Sequence, residues 1–407
     1  MEISVRVLAN KKPLLSVDRS RFPMSLMHMT QCDVVILGGG PAGMATALSL
    51  LKYDAALRVV VIERSGYDHL RIGETLPPNA GPLLEQLEVW STFIQTGHLP
   101  AYGTSAAWGS STIHTNESFF YMYGNGWHLD RCTFDALLAQ MAIQRGATVY
   151  LHTRFLGCQR LPDESWDLTV RSQESAPIQL NSRFVVDATG RLASFSRQQG
   201  AKRTIYDELA GVAVLFKTGA DMVDTCALVE TCPSGWWYSA LLPAGRMVAM
   251  FMSDADTIRR NQLKDPANWL DRARQMEHTW ARLQRAEPVM RPFTHAAYTQ
   301  ILNPVGGAGW LAVGDAASTF DPLSGQGIYQ ALQSGIYASY AILDWMKGQP
   351  AALERYVALQ SASFQQYFFT WRNYYAREQR WSESNFWKHR HNMRLKERSA
   401  SITKSIA

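Results

Sequence analysis

The sequence predicts an α/β fold in which a parallel βαβ domain is interrupted by an antiparallel sheet and followed by a helical C-terminus. A β-branched run at Cys32–Leu37 leads through a glycine-rich turn into a small-residue helix at Met44–Leu51, and a second buried strand follows at Arg58–Ile62. Strand-like runs separated by turn residues occupy positions 205–254, which is typical of an antiparallel sheet. Residues 364–387 are rich in Phe, Tyr and Trp, which favours a packed terminal helix over an exposed partner-binding face.

Length and composition indicate an ordered protein that is long enough for two domains or for one large domain with an insertion. The 407 residues include 46% hydrophobic residues and 13 Trp, enough for a substantial core, so a disordered or fibrous chain is excluded. The five Cys are scattered without a CxxC pair, so no disulfide framework or metal site is indicated, and a cytoplasmic location fits best. Apolar runs fall far short of the roughly 20 residues that span a bilayer, so no membrane association is expected.

The formal net charge of +5 is concentrated at the C-terminus. From Arg380 onward the chain carries seven Lys or Arg and two Glu, so the preceding residues sum to zero. Such a tail is typical of a solvated, partly disordered end. A docking site for an acidic partner is the alternative, and nucleic-acid binding is not expected.

The glycine-rich turn has the spacing of a dinucleotide-binding fingerprint. Gly38 permits the tight turn, Gly40 lets the backbone approach a pyrophosphate, and Gly43 lets the helix pack closely on the strand. Pro41 and Ala42 begin a helix whose N-terminus offers free N–H groups and about half a positive charge to phosphates. The turn therefore predicts a Rossmann-like nucleotide-binding domain.

An acidic residue closes this unit. Glu63 ends the second strand, twenty residues after Gly43, where it is placed to accept hydrogen bonds from ribose hydroxyls, and the adjacent Arg64 is a further candidate contact. The fingerprint alone does not separate FAD from NAD.

Two later segments identify the chain as resembling the p-hydroxybenzoate hydroxylase-like flavoproteins. Val185–Arg191 resembles the ATG element of that superfamily, and Gly314–Ala317 followed by Asp321–Gly327 resembles its GD element. The resemblance implies FAD as the cofactor and a Rossmann-like FAD-binding domain carrying an inserted antiparallel β-sheet substrate domain. It also assigns cofactor contacts to these segments, namely Asp187, Gly190, Gly314, Asp315, Pro322, Gly325 and Gly327.

The resemblance implies distinct roles along the GD element. Asp315 would bind the ribityl chain, and the loop and helix start at Gly325–Gly327 would face the pyrimidine end of the flavin. A helix N-terminus there would stabilise negative charge on the reduced flavin. Pro322, Gly325 and Gln326 are therefore candidate catalytic residues as well.

Two further elements add candidate residues. Arg131 matches an LDR element whose Arg contacts the FAD phosphates or the adenosine side; the alternative is a plain helix N-cap at Asp130 with a solvated Arg. Residues Ile72–Pro78 resemble the loop that covers the flavin in flavin halogenases and their relatives. This covering loop makes Glu74 and Thr75 cofactor contacts, and Glu74 also a candidate catalytic residue.

The halogenase interpretation meets an objection. That chemistry needs a Lys to capture hypohalous acid, and the chain has no Lys between Lys52 and Lys202. The combined motifs instead resemble the LodB/GoxB-type flavoproteins, which mature tryptophylquinone enzymes. The resemblance implies an FAD-dependent monooxygenase that uses O2, with NAD(P)H as a transient electron donor, to oxidise a Trp in a precursor quinoprotein oxidase during cysteine tryptophylquinone biogenesis.

Alternative functions remain open from the sequence. A small-molecule aromatic hydroxylase, a flavin halogenase, a prenyl reductase and a non-catalytic flavin-binding redox scaffold share parts of the pattern. Trp237 is a candidate for lining an apolar site, and plain sheet core is its alternative. The predicted division of the chain is an N-terminal extension at 1–30, the FAD-binding domain at 31–110, 127–200 and 295–350, the substrate domain at 111–126 and 201–294, and a C-terminal helical segment with a basic tail at 351–407.

Overall fold

The computed structural model describes residues 30–117, 122–172 and 176–394. The predicted N-terminal extension up to residue 29 and the tail after residue 394 lie outside this part of the chain. The strands are β1 Thr30–Leu37, β2 Val59–Ile62, β3 Thr75–Leu76, β4 Leu99–Ala101, β5 Gly103–Ala107, β6 His114–Glu117, β7 Gly126–His128, β8 Thr148–Tyr150, β9 Thr153–Arg160, β10 Trp166–Ser172, β11 Ile178–Asp187, β12 Lys202–Ile205, β13 Leu209–Thr218, β14 Ala227–Cys232, β15 Gly235–Leu242, β16 Arg246–Asp254, β17 Ala286–Pro288, β18 Phe293–Ala296, β19 Gln300–Asn303, β20 Gly306–Gly307, β21 Trp310–Ala312 and β22 Ser318–Thr319.

The two longest described helices, Gly327–Met346 and Ala351–Ala376, follow each other in the C-terminal part of the chain. Among the described residues, no helix has both the length and the apolar character needed to cross a bilayer. The α-helices are α1 Pro41–Tyr53, α2 Gly81–Gln86, α3 Trp90–Phe93, α4 Arg131–Gln144, α5 Ser194–Gln198, α6 Ala255–Arg260, α7 Pro266–Ala273, α8 Glu277–Leu283, α9 Gly327–Met346, α10 Ala351–Ala376 and α11 Asn385–His391.

The first sheet is the predicted Rossmann-like core. Its order is β20-β21-β11-β1-β2-β8, and the pairs β21–β11, β11–β1, β1–β2 and β2–β8 are parallel. The central strands β1 and β2 are almost continuously apolar because both faces of a central parallel strand are buried. Helix α1 packs against α9 across this domain. The carboxyl ends of β1, β11 and β21 therefore meet at one edge, which is where ligands bind in such sheets.

The second sheet confirms the antiparallel prediction for residues 205–254. Its order is β17-β13-β16-β15-β14-β5-β6, and every pair along it is antiparallel except β14–β5. The strand β5 pairs here, although the predicted division assigned its residues to the first domain. The second sheet accordingly takes in β5 as well as β6.

The C-terminal segment is helical as predicted, and it packs against the second sheet. Phe364, Trp371, Tyr375 and Trp387 are buried, whereas Phe369 is exposed. The predicted packed helix is therefore confirmed. The expectation of a solvated tail is wrong for α11: its apolar residues are buried, and its Arg390 is buried with Nη2 bonded to Asp254 Oδ1 at 2.8 Å. A buried ion pair and aromatic packing hold this part of the tail in place.

Candidate functional site

The glycine turn forms a cradle at the carboxyl end of β1. Gly38 has φ +118°, and a Cβ there would collide with the carbonyl oxygen of Ala188, at the end of β11. A Cβ at Gly43 would collide with the Gly38 carbonyl, so α1 can approach the strand only because Gly43 lacks a side chain. By contrast, the space beside Gly40 is open to 4 Å. The turn therefore has the close helix–strand packing and the open backbone that a pyrophosphate requires.

The first turn of α1 leaves its N–H groups available to a ligand. Gly40 is the N-cap and Pro41 the first helical residue, and no side chain caps this helix. Uncapped N–H groups at a helix N-terminus bind anions, aided by the helix dipole. Ala42 lies buried beside them, and a Cβ on Gly314 would contact it. These features fit the phosphates of FAD.

Glu63 holds the glycine turn through a hydrogen bond from the backbone of that turn. Its Oε2 accepts the Gly39 N–H at 2.8 Å, and its Oε1 accepts the Ser65 N–H at 2.9 Å and Arg71 Nη2 at 3.0 Å. The Ser65 hydroxyl also donates to Oε1, so three donors saturate that oxygen, whereas Oε2 retains a lone pair for a ribose hydroxyl. Contact with ribose stays a prediction, as does a role for the exposed Arg64.

A chain of ion pairs joins this turn to the covering loop. Asp135 is fully buried and accepts Arg71 Nη1 at 2.8 Å and Arg131 Nε and Nη2 at 3.1 Å each. The Arg131 Nη1 group donates to the carbonyls of Ile72 and Gly73 at 3.0 Å. The position of the covering loop is therefore coupled to the glycine turn through buried charges.

The structure confirms one half of the alternative interpretation of the LDR element and contradicts the other half. Asp130 does cap α4, since its Oδ1 accepts the Thr133 N–H at 3.0 Å. Arg131, however, is not solvated: its side chain is 11% exposed and bonded to the covering loop. Its contact with the FAD phosphates stays a prediction, and its observed role is to hold the loop.

The covering loop contains a buried carboxyl. Glu74 is 3% exposed, and its Oε1 has no hydrogen-bond partner. Burial raises the pKa of Glu74 to about 7, and the nearby Arg131 guanidinium opposes this only in part. The adjacent Thr75 Oγ1 is bonded to the Tyr238 hydroxyl at 2.7 Å. A carboxyl in this state can bind or release a proton near neutral pH.

The ATG element supports the cleft from inside the protein. Asp187 is fully buried, and its oxygens accept the Thr189 N–H at 3.0 Å and the Ser196 N–H at 2.8 Å. We therefore reassign Asp187 from direct cofactor contact to positioning of this turn. Gly190, with φ +69° and open space beside it, remains a candidate contact.

The GD element lines the opposite side of the cleft. The Gly314 N–H donates to Ser334 Oγ at 2.9 Å, and Gly314 adopts φ +54°. Asp315 is 42% exposed in its side chain and lies 3.5 Å from Arg191 Nε. Gly314 and Asp315 line the cleft at this point. Ser318, Gly327 and Gln330 complete this part of the lining. An exposed carboxylate in a cleft suits hydrogen bonding to ribityl hydroxyls.

The loop before α9 presents an open backbone. Pro322 begins a 3₁₀ turn that ends at Gly325 with φ +60°, and the space beside Gly325 and Gly327 is open. The Gln326 N–H donates to Ser324 Oγ at 3.2 Å, and no side chain caps α9. The structure thus places Pro322, Gly325 and Gln326 together with Gly327 at the uncapped N-terminus of a 20-residue helix.

Trp237 does not belong to this site. Its side chain is fully buried and packs on Phe251 and Trp269, each with ring centroids 5.0 Å away, on the face of β15 that α7 covers. Adjacent strand residues face opposite ways, so Trp236 and Tyr238 point to the other face. Sheet core was thus the correct interpretation, and the alternation of β15 was the signal that could have identified Tyr238.

Elements around this site also share one hydrophobic cluster, which the sequence did not reveal. Ile72, Phe293 and Leu323 come from three separate elements, remain partly exposed and pack against one cluster. His295 on β18 is exposed, yet the protein around it and Arg191 lower its pKa. Distances of up to about 250 residues along the chain separate these positions, so no local motif brings them together.

Comparison with known proteins agrees with this geometry. A family model described as FAD binding domain matches residues 31–369. LodB of Marinomonas mediterranea, described as an FAD-dependent oxidoreductase, is 29% identical over 365 residues, which cover 89% of this chain and 98% of that protein.

Solved structures share the fold. The myxobacterial chondrochloren halogenase CndH matches with a TM-score of 0.82 and 20% identity, covering 89% of this chain and 86% of that one. QhpG, a peptidyl tryptophan dihydroxylase essential for tryptophylquinone cofactor biogenesis, matches with a TM-score of 0.71 and 22% identity, covering 89% and 79%. The predicted fold class and the resemblance are both confirmed.

Proposed function

Because the chain belongs to the FAD binding domain family and is an FAD-dependent oxidoreductase, we propose that it is a monooxygenase that oxidises a Trp side chain in a precursor protein. The precursor would be a quinoprotein oxidase that acquires its tryptophylquinone cofactor in this way. The observation that carries the proposal is a halogenase-like architecture without any Lys between Lys52 and Lys202. The similarity to QhpG, a peptidyl tryptophan dihydroxylase, supports oxidation of Trp, and the similarity to LodB supports FAD-dependent oxidation.

The described residues fit FAD along the whole cleft. The Gly38–Gly43 turn would hold the pyrophosphate, Asp315 the ribityl chain, and the loop at Gly325–Gly327 the pyrimidine end of the ring. When bound, FAD supplies the redox chemistry by which O2 is activated with electrons from NAD(P)H.

We infer that three half-buried apolar side chains form the substrate entrance and suit a flat aromatic substrate. Ile72, Phe293 and Leu323 present apolar surface from the covering loop, β18 and the loop before α9. Such surface excludes water from the reacting atoms and accepts the face of an indole ring. A Trp side chain carried on a protein satisfies these contacts without any charged group.

Glu74 is the best-placed group for proton transfer. Adding oxygen to an indole carbon requires that the hydrogen on that carbon leave as a proton. A buried carboxylate with a pKa of about 7 and a free Oε1 can accept this proton at neutral pH. Tyr238, bonded to Thr75 at 2.7 Å, would hold the covering loop in place during this step.

The proposal is tested by mass spectrometry of the precursor protein. The enzyme with FAD and NAD(P)H is incubated with an unmodified quinoprotein precursor under isotopically labelled O2. A precursor Trp is expected to gain the mass of labelled oxygen. Glu74→Gln should slow this gain about 10²-fold or more, as for loss of a general base, whereas Glu85→Gln, which changes an exposed carboxylate, should not. An unchanged precursor mass during NAD(P)H consumption, or oxygen derived from water, would contradict the proposal.

A further inference from the structure

A buried carboxyl lies directly before the loop that leads into α9. Asp321 is fully buried, and its Oδ1 accepts the Leu323 N–H at 2.9 Å. Its Oδ2 accepts Trp371 Nε1 at 2.9 Å and the Tyr375 hydroxyl at 2.8 Å. A carboxylate is costly to bury unless donors surround it, and here three donors converge on one.

The side-chain donors come from one face of the C-terminal helix. Tyr367, Trp371 and Tyr375 are spaced four residues apart on α10, so they lie in one row along the helix. The hydroxyl of Tyr367 accepts the backbone N–H of Asp321 at 2.7 Å. Both the side chain and the backbone of a single loop residue are thus bonded to consecutive turns of α10.

The hydroxyl of Tyr375 also connects α10 to the second sheet. Trp236 Nε1 on β15 donates to the Tyr375 oxygen at 3.0 Å. Two residues later on the same face of β15, Tyr238 is bonded to Thr75 of the covering loop at 2.7 Å. A continuous path of hydrogen bonds and strand backbone therefore runs from the α9 loop through α10 to the covering loop.

Charged groups nearby do not replace these donors. Asp207 approaches Asp321 and repels it, and it is itself buried with Oδ2 unpaired. The guanidinium of Arg390 faces Tyr375 and is bonded to Asp254. The negative charge of Asp321 is therefore stabilised by the Leu323, Trp371 and Tyr375 donors, which fixes the direction of its side chain.

We propose that Asp321 is a positioning residue of the flavin site: gripped by Trp371 and Tyr375, it sets the Pro322–Gln326 loop and thereby aims the N-terminus of α9. This inference rests on the proposed cofactor arrangement. A correctly aimed helix N-terminus favours the negatively charged reduced flavin over the oxidised form. Loss of the hydrogen bonds from Trp371 or Tyr375 to Asp321 should therefore weaken binding of reduced FAD more than binding of oxidised FAD.

The test compares two buried Trp residues of the C-terminal segment. Trp371→Phe removes a donor to Asp321, whereas Trp387→Phe removes an indole N–H that donates to the Cys232 carbonyl at 2.9 Å and does not touch the loop. Both changes delete a similar volume and one buried hydrogen bond. They should therefore destabilise the fold to a similar degree. The midpoint potential of the bound flavin should differ between the two variants.

The readout is the midpoint potential of the bound flavin, measured by spectroelectrochemical titration without any substrate. Trp371→Phe should lower the preference for reduced FAD about tenfold, which equals about 30 mV for a two-electron couple, and Trp387→Phe should leave the potential unchanged. Tyr375→Phe serves as the second variant and should lower the potential in the same direction. Unchanged potentials in both Asp321-contacting variants, or an equal shift in Trp387→Phe, would overturn the proposal. Because no protein substrate is used, failure here is separate from failure of the proposed oxygenation.

Discussion

The buried carboxyl of Glu74 should make the stability of the protein depend on pH. Burial raises its pKa from 4.5 to about 7. Between these two values the folded state binds more protons than the unfolded state, so the free energy of unfolding falls as pH rises through this window. Above the folded pKa the carboxyl is ionised in both states, and the full cost of burying its charge is present.

Glu74→Gln removes this titration while keeping the shape of the side chain. One pKa unit corresponds to about 1.4 kcal/mol, so the difference between 4.5 and 7 corresponds to about 3 kcal/mol. The variant should therefore exceed the wild type in unfolding free energy by about 3 kcal/mol above pH ~8, and the advantage should vanish near pH ~4.5. The variant gains stability because a neutral amide needs no counter-charge.

Urea unfolding of the FAD-loaded protein at a series of pH values measures the difference. Glu85→Gln on α2 is the matched control, because this carboxylate is exposed and its replacement should shift stability little at any pH. The reasoning is refuted if the difference between Glu74→Gln and wild type is the same at all pH values. It is also refuted if the variant is the less stable protein at alkaline pH.

Three further substitutions test the glycine turn, the buried Asp135 and the contact between Tyr238 and the covering loop. Gly38→Ala should abolish retention of FAD, seen as lost flavin absorbance, because its Cβ collides with the Ala188 carbonyl. Gly146→Ala, also at positive φ but with open space and outside the cofactor site, should retain FAD. Asp135→Asn should lower the free energy of unfolding by about 3–5 kcal/mol, because it unpairs two arginines; Asp256→Asn, in an exposed pair, should lower it by about 0–1 kcal/mol in the same urea titration. Tyr238→Phe should speed proteolytic cleavage of the covering loop, because it removes the bond to Thr75.

The parts of the fold that rest on local pattern could be predicted from the sequence. The strand–turn–helix at the glycine fingerprint needs only residues close in sequence, and β-branched runs with turn residues between them mark β13 to β16. The placement of β5 in the second sheet could not be predicted, because it depends on parallel pairing with β14, more than a hundred residues away. Distant pairing of that kind leaves no local pattern.

The site was predictable where backbone shape decides it and not where side chains from distant elements meet. Gly38, Gly43 and Gly314 follow from motifs, because only glycine fits their conformations and close approaches. The assignment of Trp237 to the site was wrong, because the sequence shows an aromatic run but not which face of β15 meets the covering loop. Asp321 gives no sign in sequence of its three donors, since two of them lie fifty residues later.

Buried charges connect the cofactor cleft at both of its ends. At one end, Asp135 couples the glycine turn to the covering loop through Arg71 and Arg131. At the other, Asp321 couples the α9 loop to the C-terminal helix. Removing one partner of such a buried set costs several kcal/mol, so neither loop can shift alone without breaking strong contacts. Movement of the covering loop would therefore require either that Arg131 move with it or that the bonds from Arg131 to the Ile72 and Gly73 carbonyls break.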